Sequence, residues 1–379
     1  MSKTGPFGTT WPFCLKLSKW CSGAMGLIDQ HAMTVQLSGT DHHNNLTALR
    51  WFAACLVLYG HAFVFLGLPE PLFLQWAPMG PLGVYIFFAI SGYLVAQSWH
   101  RDPNVPRFLV KRALRIFPGL LVCTVLSVVV LGPLLTTLDM ATYWGNEHTR
   151  GYFTNVALYM TYHLPGVFAN NKLPHAVNGS LWSLPVEFFM YFLLAFLGFV
   201  GTWFQNQKWG AWLTGLVTFS FMILVALWAL PSSEAWVVYR TDLRQIPLCG
   251  VYFMVGTCLY QFKLQRFFSL SNVVLSVVLW LSLSRDIQLF VLASWFVLPF
   301  VVLAFGLSRH SWLSRWHDKD YSYGIYIYAF PVQQSLVSFW PQMPLLLYLI
   351  CTLVFTVTLA AASWHFVEKQ ALKLKPFRR

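Results

Sequence analysis

The sequence predicts an all-α polytopic membrane protein of about ten transmembrane helices with both termini in the cytoplasm. Three observations carry that expectation. Hydrophobic residues make up 57% of the 379 and charged residues only 10%, a ratio that suits a chain solvated by lipid rather than a water-soluble domain of this length. Ten apolar segments recur, at 46–66, 80–99, 109–131, 181–201, 209–230, 244–261, 268–284, 287–307, 321–340 and 343–366, most of them near the roughly 20 residues that one helical crossing needs. The basic residues are also asymmetric. With ten crossings starting inside, only Arg150, Lys172, Arg240, Arg244 and Arg285 fall in external segments, leaving 20 of the 25 Lys and Arg on the inner side. That bias orients membrane proteins, so the net charge of +12 is read as topology and not as a nucleic-acid surface.

Residues 1–45 read as a polar cytoplasmic segment. Lys16 and Lys19 interrupt their apolar patch, so no signal-peptide core is expected, and Met25 and Met33 are alternative starts. Asp41, His42 and His43 read as a solvated approach to the first helix and not as metal ligands. Of the seven cysteines, Cys55, Cys123, Cys249, Cys258 and Cys351 lie in apolar runs without paired metal-ligand spacing, as small core hydrophobes do. Cys14 and Cys21 precede the first helix on the reducing side, where a disulfide is not expected.

The first helix, 46–66, carries Arg50 near its start and His61 near its end. Eleven residues at 100° each return to nearly the same face with a rise of roughly 16 Å. Ionisable groups inside a membrane segment are costly and mark functional polar paths. In the second segment, Ser91 and Gly92 of GVYIFFAISGY sit at membrane depth, where small residues let helices approach closely. The third opens with FLVKRALRIFP, whose Arg112 and Arg115 share a face. They serve either as inside-positive anchors or as a clamp for phosphate, which guanidinium forks suit.

The longest external segment, 136–179, is rich in Tyr, Trp, Asn and His. Its polar aromatics read equally as a sugar-stacking surface or an interfacial belt, with a short helix expected over 152–164. It leads into NGSLWSLPVEFFMY, which puts Glu187 about two turns into a helix running inward, at the depth expected for His61. The two would act as base and orienter. Residues 321–334, YSYGIYIYAFPVQQ, line a helix face with phenols that read mainly as packing. Residues 367–379 form a basic cytoplasmic tail. Phosphate loops, GxGxxG, GxSxG, HExxH and CxxC motifs are absent from the sequence.

Taken together, these motifs resemble the acyltransferase type 3 family of integral-membrane acyltransferases, from Leu46 to about Glu368. The resemblance rests on Arg50 and His61 with ten residues between, FFAISGY at 87–93, RALRIFP at 112–118, SLWSLPVE at 180–187, SYGIYIYAFP at 322–331 and VEK at 367–369. It implies a membrane acyltransferase domain over 46–366. Such a domain moves an acyl group, commonly acetyl, from cytoplasmic acyl-CoA to a sugar hydroxyl of a cell-envelope or exported glycan, at a bacterial inner membrane. It also implies functional roles for Arg50, His61, Arg112, Arg115 and Glu187. The expected assignment is His61 and Glu187 as catalytic groups, Arg50, Arg112 and Arg115 as donor-binding groups, and no metal. Ala329 stands where many relatives have His, and Gln370 where Pro is common. The competing expectation is a proton-coupled secondary transporter with Arg50, His61 and Glu187 as its path, against which no pair of matching interrupted helices is seen in the two halves.

Overall fold

The computed structural model describes residues 44–204, 207–228, 236–308 and 319–376. The expectations for residues 1–43, including Cys14, Cys21, Asp41, His42 and His43, lie outside the described residues, as do Arg309 and Arg315. Every described element belongs to the unit Asp41–Arg379.

Each of the ten predicted segments is helical. They are α1 (Leu46–Leu66), α2 (Met79–Arg101), α3 (Val105–Leu126), α4 (Ser183–Trp203), α5 (Gln207–Trp228), α6 (Gln245–Gln261), α7 (Leu270–Ser282), α8 (Ile287–Leu307), α9 (Ser322–Phe339) and α10 (Leu345–Ser363). Strand is confined to two tiny hairpins and one isolated bridge among the described residues. The protein is an all-α polytopic membrane protein. Seven described helical stretches are long and apolar enough to cross a membrane. Of the other three helices, α6 has 17 residues and α7 only 13, while α9 owes its lower apolarity to where it sits. Ser322 to Pro331 of α9 are all buried in protein, so that stretch meets neighbouring helices in place of lipid and can carry three tyrosines. By contrast, α5 turns Trp212, Leu216 and Phe219 outward, as a helix facing hydrocarbon must.

Local chemistry explains several helix ends. Asn104 caps α3 by accepting from the Arg107 amide at 3.0 Å, and Asp286 caps α8 by accepting from two amides, satisfying donors that a first turn leaves free. At its other end, α1 stops at Gly67, whose φ of +71° suits a left-handed cap. The α1 start is held by α8: the Asn45 amide donates to Gly306 O at 2.8 Å.

The core is built on close helix approach. A side chain at Gly92 would meet the Phe253 carbonyl, and one at Gly256 would meet that of Ala89. Helices α2 and α6 therefore touch backbone to backbone, as small residues permit, and Thr257 Oγ1 donates to Gly92 O at 3.1 Å. The small residues of FFAISGY thus divide their work: Gly92 serves packing, while Ser91 lines the cavity described below.

Between α3 and α4 the chain forms a cap. Short helical turns cover Met140–Gly145, Glu147–Gly151 and Tyr152–Ala157. The helix expected over 152–164 stops at Ala157, because Leu158 takes a left-handed backbone and the chain is irregular beyond it. Tyr143 and Tyr152 are fully buried in the cap's own core with Leu164, Val167 and Phe168. These two polar aromatics are packing and present no stacking face.

Candidate active site

A cavity of about 470 Å³ opens at the end of the bundle where α1 starts. Its wall brings together four of the five residues singled out from the sequence: Arg50 from α1, Arg112 and Arg115 from α3, and Glu187 from α4. Lys111 and Lys375 also line it, so five basic groups face two acidic ones, Glu187 and Asp320.

The cations are not equivalent. Asp320, immediately before α9, accepts from Arg50 at 2.8 Å and from Arg115 at 2.6 Å through one carboxylate oxygen. Its other oxygen accepts from Ser322 Oγ at 2.5 Å. Burial alone would raise the Asp320 pKa, but the two guanidiniums and the Ser322 hydrogen bonds hold it well below the ordinary carboxylate range. Lys111 is paired at 2.7 Å with Asp102, which also binds Arg107. Arg112 has no carboxylate partner among the described residues. It reaches Ser98 Oγ at 3.4 Å, lies 5.9 Å from the ring centres of Phe108 and Tyr191, and leaves Nε buried without a hydrogen-bond partner. Lys375 is likewise in no described ion pair. Burial, helped by Arg112, Arg115, Arg50 and Lys111, pulls its pKa down to about 8.

Glu187 accepts hydrogen bonds from Ser91 Oγ at 3.2 Å and from the Tyr191 hydroxyl one turn further along α4. Its depth differs from expectation. A side chain on Gly60 would strike the Gly80 amide, and one on Gly83 would strike Ala53 O and Val57, which sets the antiparallel register of α1 and α2. Eight residues beyond Gly83, about 12 Å, Ser91 and with it Glu187 lie level with Arg50, not with His61. The reason is where α4 begins. The turn before it is sunk among α9 residues: Asn178 donates to Ile327 O, and Tyr326 donates to Ser180 O, both at 2.8 Å. Those partners satisfy backbone that hydropathy assigns to the surface, so α4 starts deep and carries Glu187 inward.

His61 is outside this cavity and makes no described hydrogen bond to Glu187. Its ring stands edge-on to Phe330 at 5.3 Å and near Phe65 at 6.0 Å, with Nδ1 buried and unpartnered. The cavity wall reaches Tyr326, one turn of α9 short of Phe330. Two amides frame the His61 end. Gln333 donates to Leu58 O at 2.8 Å. Gln334 donates to Leu173 O and Ala176 O in the cap and accepts from Asn171 at 2.7 Å.

Sequence reasoning missed Asp320, Tyr191 and Lys375 as site residues. An acid at the mouth of a membrane helix in a chain with few acids was the available signal for Asp320. Tyr191 had one too, since it falls four residues after Glu187 on a helix. For Lys375, nothing distinguishes it from the other tail cations before the fold is known.

The acyltransferase-domain family model matches residues 43–365. The chain belongs to the acyltransferase type 3 family. It is 31% identical to an O-acetyl transferase of Shigella phage Sf6, over 87% of this chain and 96% of that protein. It is 30% identical to nodulation protein 10 of Rhizobium leguminosarum bv. viciae, over 88% and 94%. A shorter match, 27% identical over 48% of this chain and 30% of the relative, is to a peptidoglycan O-acetyltransferase of Listeria monocytogenes. No solved structure matches significantly. This membrane acyltransferase is therefore an enzyme, and none of these three relatives is named a transporter.

Proposed function

We propose that this acyltransferase moves an acetyl group from cytoplasmic acetyl-CoA to a hydroxyl of a cell-envelope or exported carbohydrate, in a bacterial inner membrane. The observation that carries the donor half is the cavity with five basic and two acidic groups at one end of the bundle. A polyphosphorylated donor is the ligand that such a field attracts. The acetyl group and the hydroxyl acceptor follow the names of the relatives in Shigella phage Sf6 and Listeria monocytogenes.

In this reading the donor phosphates enter the cavity whose wall carries Arg50, Arg112, Arg115, Lys111 and Lys375, on the cytoplasmic side. The pantetheine arm extends past Tyr326 toward Phe330, where His61 waits with a free ring nitrogen. His61 takes the acceptor hydroxyl proton as the oxygen attacks the thioester carbonyl, or carries the acyl group itself and hands it on. In either route the carbon–sulfur bond breaks and the proton reaches the departing thiolate, giving free coenzyme A. Glu187, anchored by Ser91 and Tyr191 level with Arg50, lines the path of the donor below its thioester and does not orient His61. The separation of roughly 16 Å between Arg50 and His61 keeps phosphate recognition apart from acyl chemistry.

Coenzyme A release from labelled acetyl-CoA, measured with purified wild type and His61→Ala side by side, tests the reading. Release in the wild type and its loss in the variant are expected. Full activity in the variant would remove His61 from the chemistry.

A further inference from the structure

The five arginines and lysines of the donor cavity differ in one respect that sequence does not reveal: which of them already has an anion. Arg50 and Arg115 come from different helices, yet both close on the same oxygen of Asp320, whose side chain is only 10% exposed. The carboxylate sits where two convergent guanidiniums would otherwise seat a phosphate oxygen. Ser322 Oγ holds the opposite oxygen and so fixes the carboxylate in place. Arg112 and Lys375 face the same space with no carboxylate of their own among the described residues. Arg112 is further braced between the rings of Phe108 and Tyr191, so it is oriented without an ion pair among the described residues.

We propose that Asp320 is a resident anion that partitions the donor cavity: it occupies Arg50 and Arg115, leaves the donor phosphates to Arg112 and Lys375, and thereby keeps spent coenzyme A from binding too tightly to leave. The inference rests on the reading of the cavity as a coenzyme A site. Two consequences follow from charge alone. Removing the carboxylate exposes two further guanidiniums to a polyanion, so affinity rises. Removing a guanidinium that already shares Asp320 costs less affinity than removing one with no ion pair. Asp320 is thus a positioning residue, acting on the donor through the arginines it holds.

The experiment is coenzyme A binding to purified full-length protein, with steady-state turnover of acetyl-CoA alongside. Asp320→Asn is expected to lower the Kd for coenzyme A about tenfold and to lower kcat as product release slows, with Asp320→Glu restoring both. A merely structural role would instead weaken binding and lower melting temperature together. Arg112→Gln against Arg50→Gln supplies a second comparison that does not depend on the Asp320 variant folding: Arg112→Gln is expected to weaken binding at least five times more. Unchanged or weaker binding in Asp320→Asn, or equal losses in the two arginine variants, would overturn the partition. A wild type that binds no coenzyme A would overturn the donor reading itself, a result distinct from either.

Discussion

The two ends of α1 solve opposite problems. At the Arg50 end, charge is abundant and is managed by pairing: Asp320 ties α1, α3 and the start of α9 through two ion pairs. Around His61 the surroundings are aromatic and amide, with Phe330, Phe65, Gln333 and Gln334 in place of ions. An ion-lined cavity attracts a charged ligand but would hold water and hydrolyse a reactive ester. An aromatic chamber excludes water and leaves one basic nitrogen to act, and its affinity for phosphate is small. In the proposed division of tasks along one helix, each environment suits its own step. It also means that damage at the two ends should look different.

The largest expected difference is at His61. General acid–base groups contribute about 100-fold or more to a rate, so His61→Ala should cut acyl transfer at least that much. Coenzyme A affinity should stay within about twofold, because the cavity wall does not include this ring. Equilibrium binding beside turnover separates the two effects. Loss of both together would mean that the two ends are one site.

How much of this was legible beforehand depends on the kind of information. Segment positions were readable because lipid demands long apolar helices, and α9 was readable despite its tyrosines because its flanks are polar. Arg50, Arg112 and Arg115 could be grouped from topology alone, since all three sit at the same end of their helices. Pairing was not legible. Whether Glu187 meets His61 or Ser91 depends on where α4 begins, and that is decided by Asn178 and Tyr326 bonding across more than a hundred residues of sequence. Lys375 enters the cavity only because the helical stretch that continues from α10 to Leu372 packs against α3, which no periodicity announces.

The next expected effect sharpens the aromatic end. Gln334→Ala removes the donor to Leu173 O and Ala176 O and the acceptor of Asn171. Leaving buried carbonyls unpaired costs about 1–3 kcal/mol, concentrated in the cap because its tie to α9 is lost. Hydrogen exchange over residues 166–177 should accelerate and the acceptor KM should rise, with coenzyme A binding unaffected. Unaltered exchange there would show that the cap is held by its own core.

A smaller effect sharpens the charged end. Lys375, with its pKa lowered to about 8, carries its charge below that pH and loses it above. Coenzyme A binding should therefore weaken a few-fold as pH rises from 7 to 9, while Lys375→Met binds more weakly at pH 7 and varies little over the same range. A variant that retains the full wild-type pH dependence would assign the titration to another group.

The smallest effect lies in the cap, where the charge logic is reversed. His163 lies between His148 and His175, with ring centres 5.8 and 5.2 Å away. Burial first, and then the neighbouring His175 and His148, lower its pKa below the ordinary value. A histidine with a lowered folded pKa binds fewer protons folded than unfolded as pH falls through about 6.5, so acid destabilises the fold around it. Proteolysis of the cap should thus quicken between pH 7 and 5.5, and His163→Gln should remove most of that change. The two ends would then respond to pH in opposite senses, the donor cavity weakening in alkali and the cap loosening in acid. Since His163 is partly exposed and solvent screens its neighbours, the shift in cleavage rate should be no more than a few-fold. An equally acid-sensitive His163→Gln cap would remove His163 as the origin of the response.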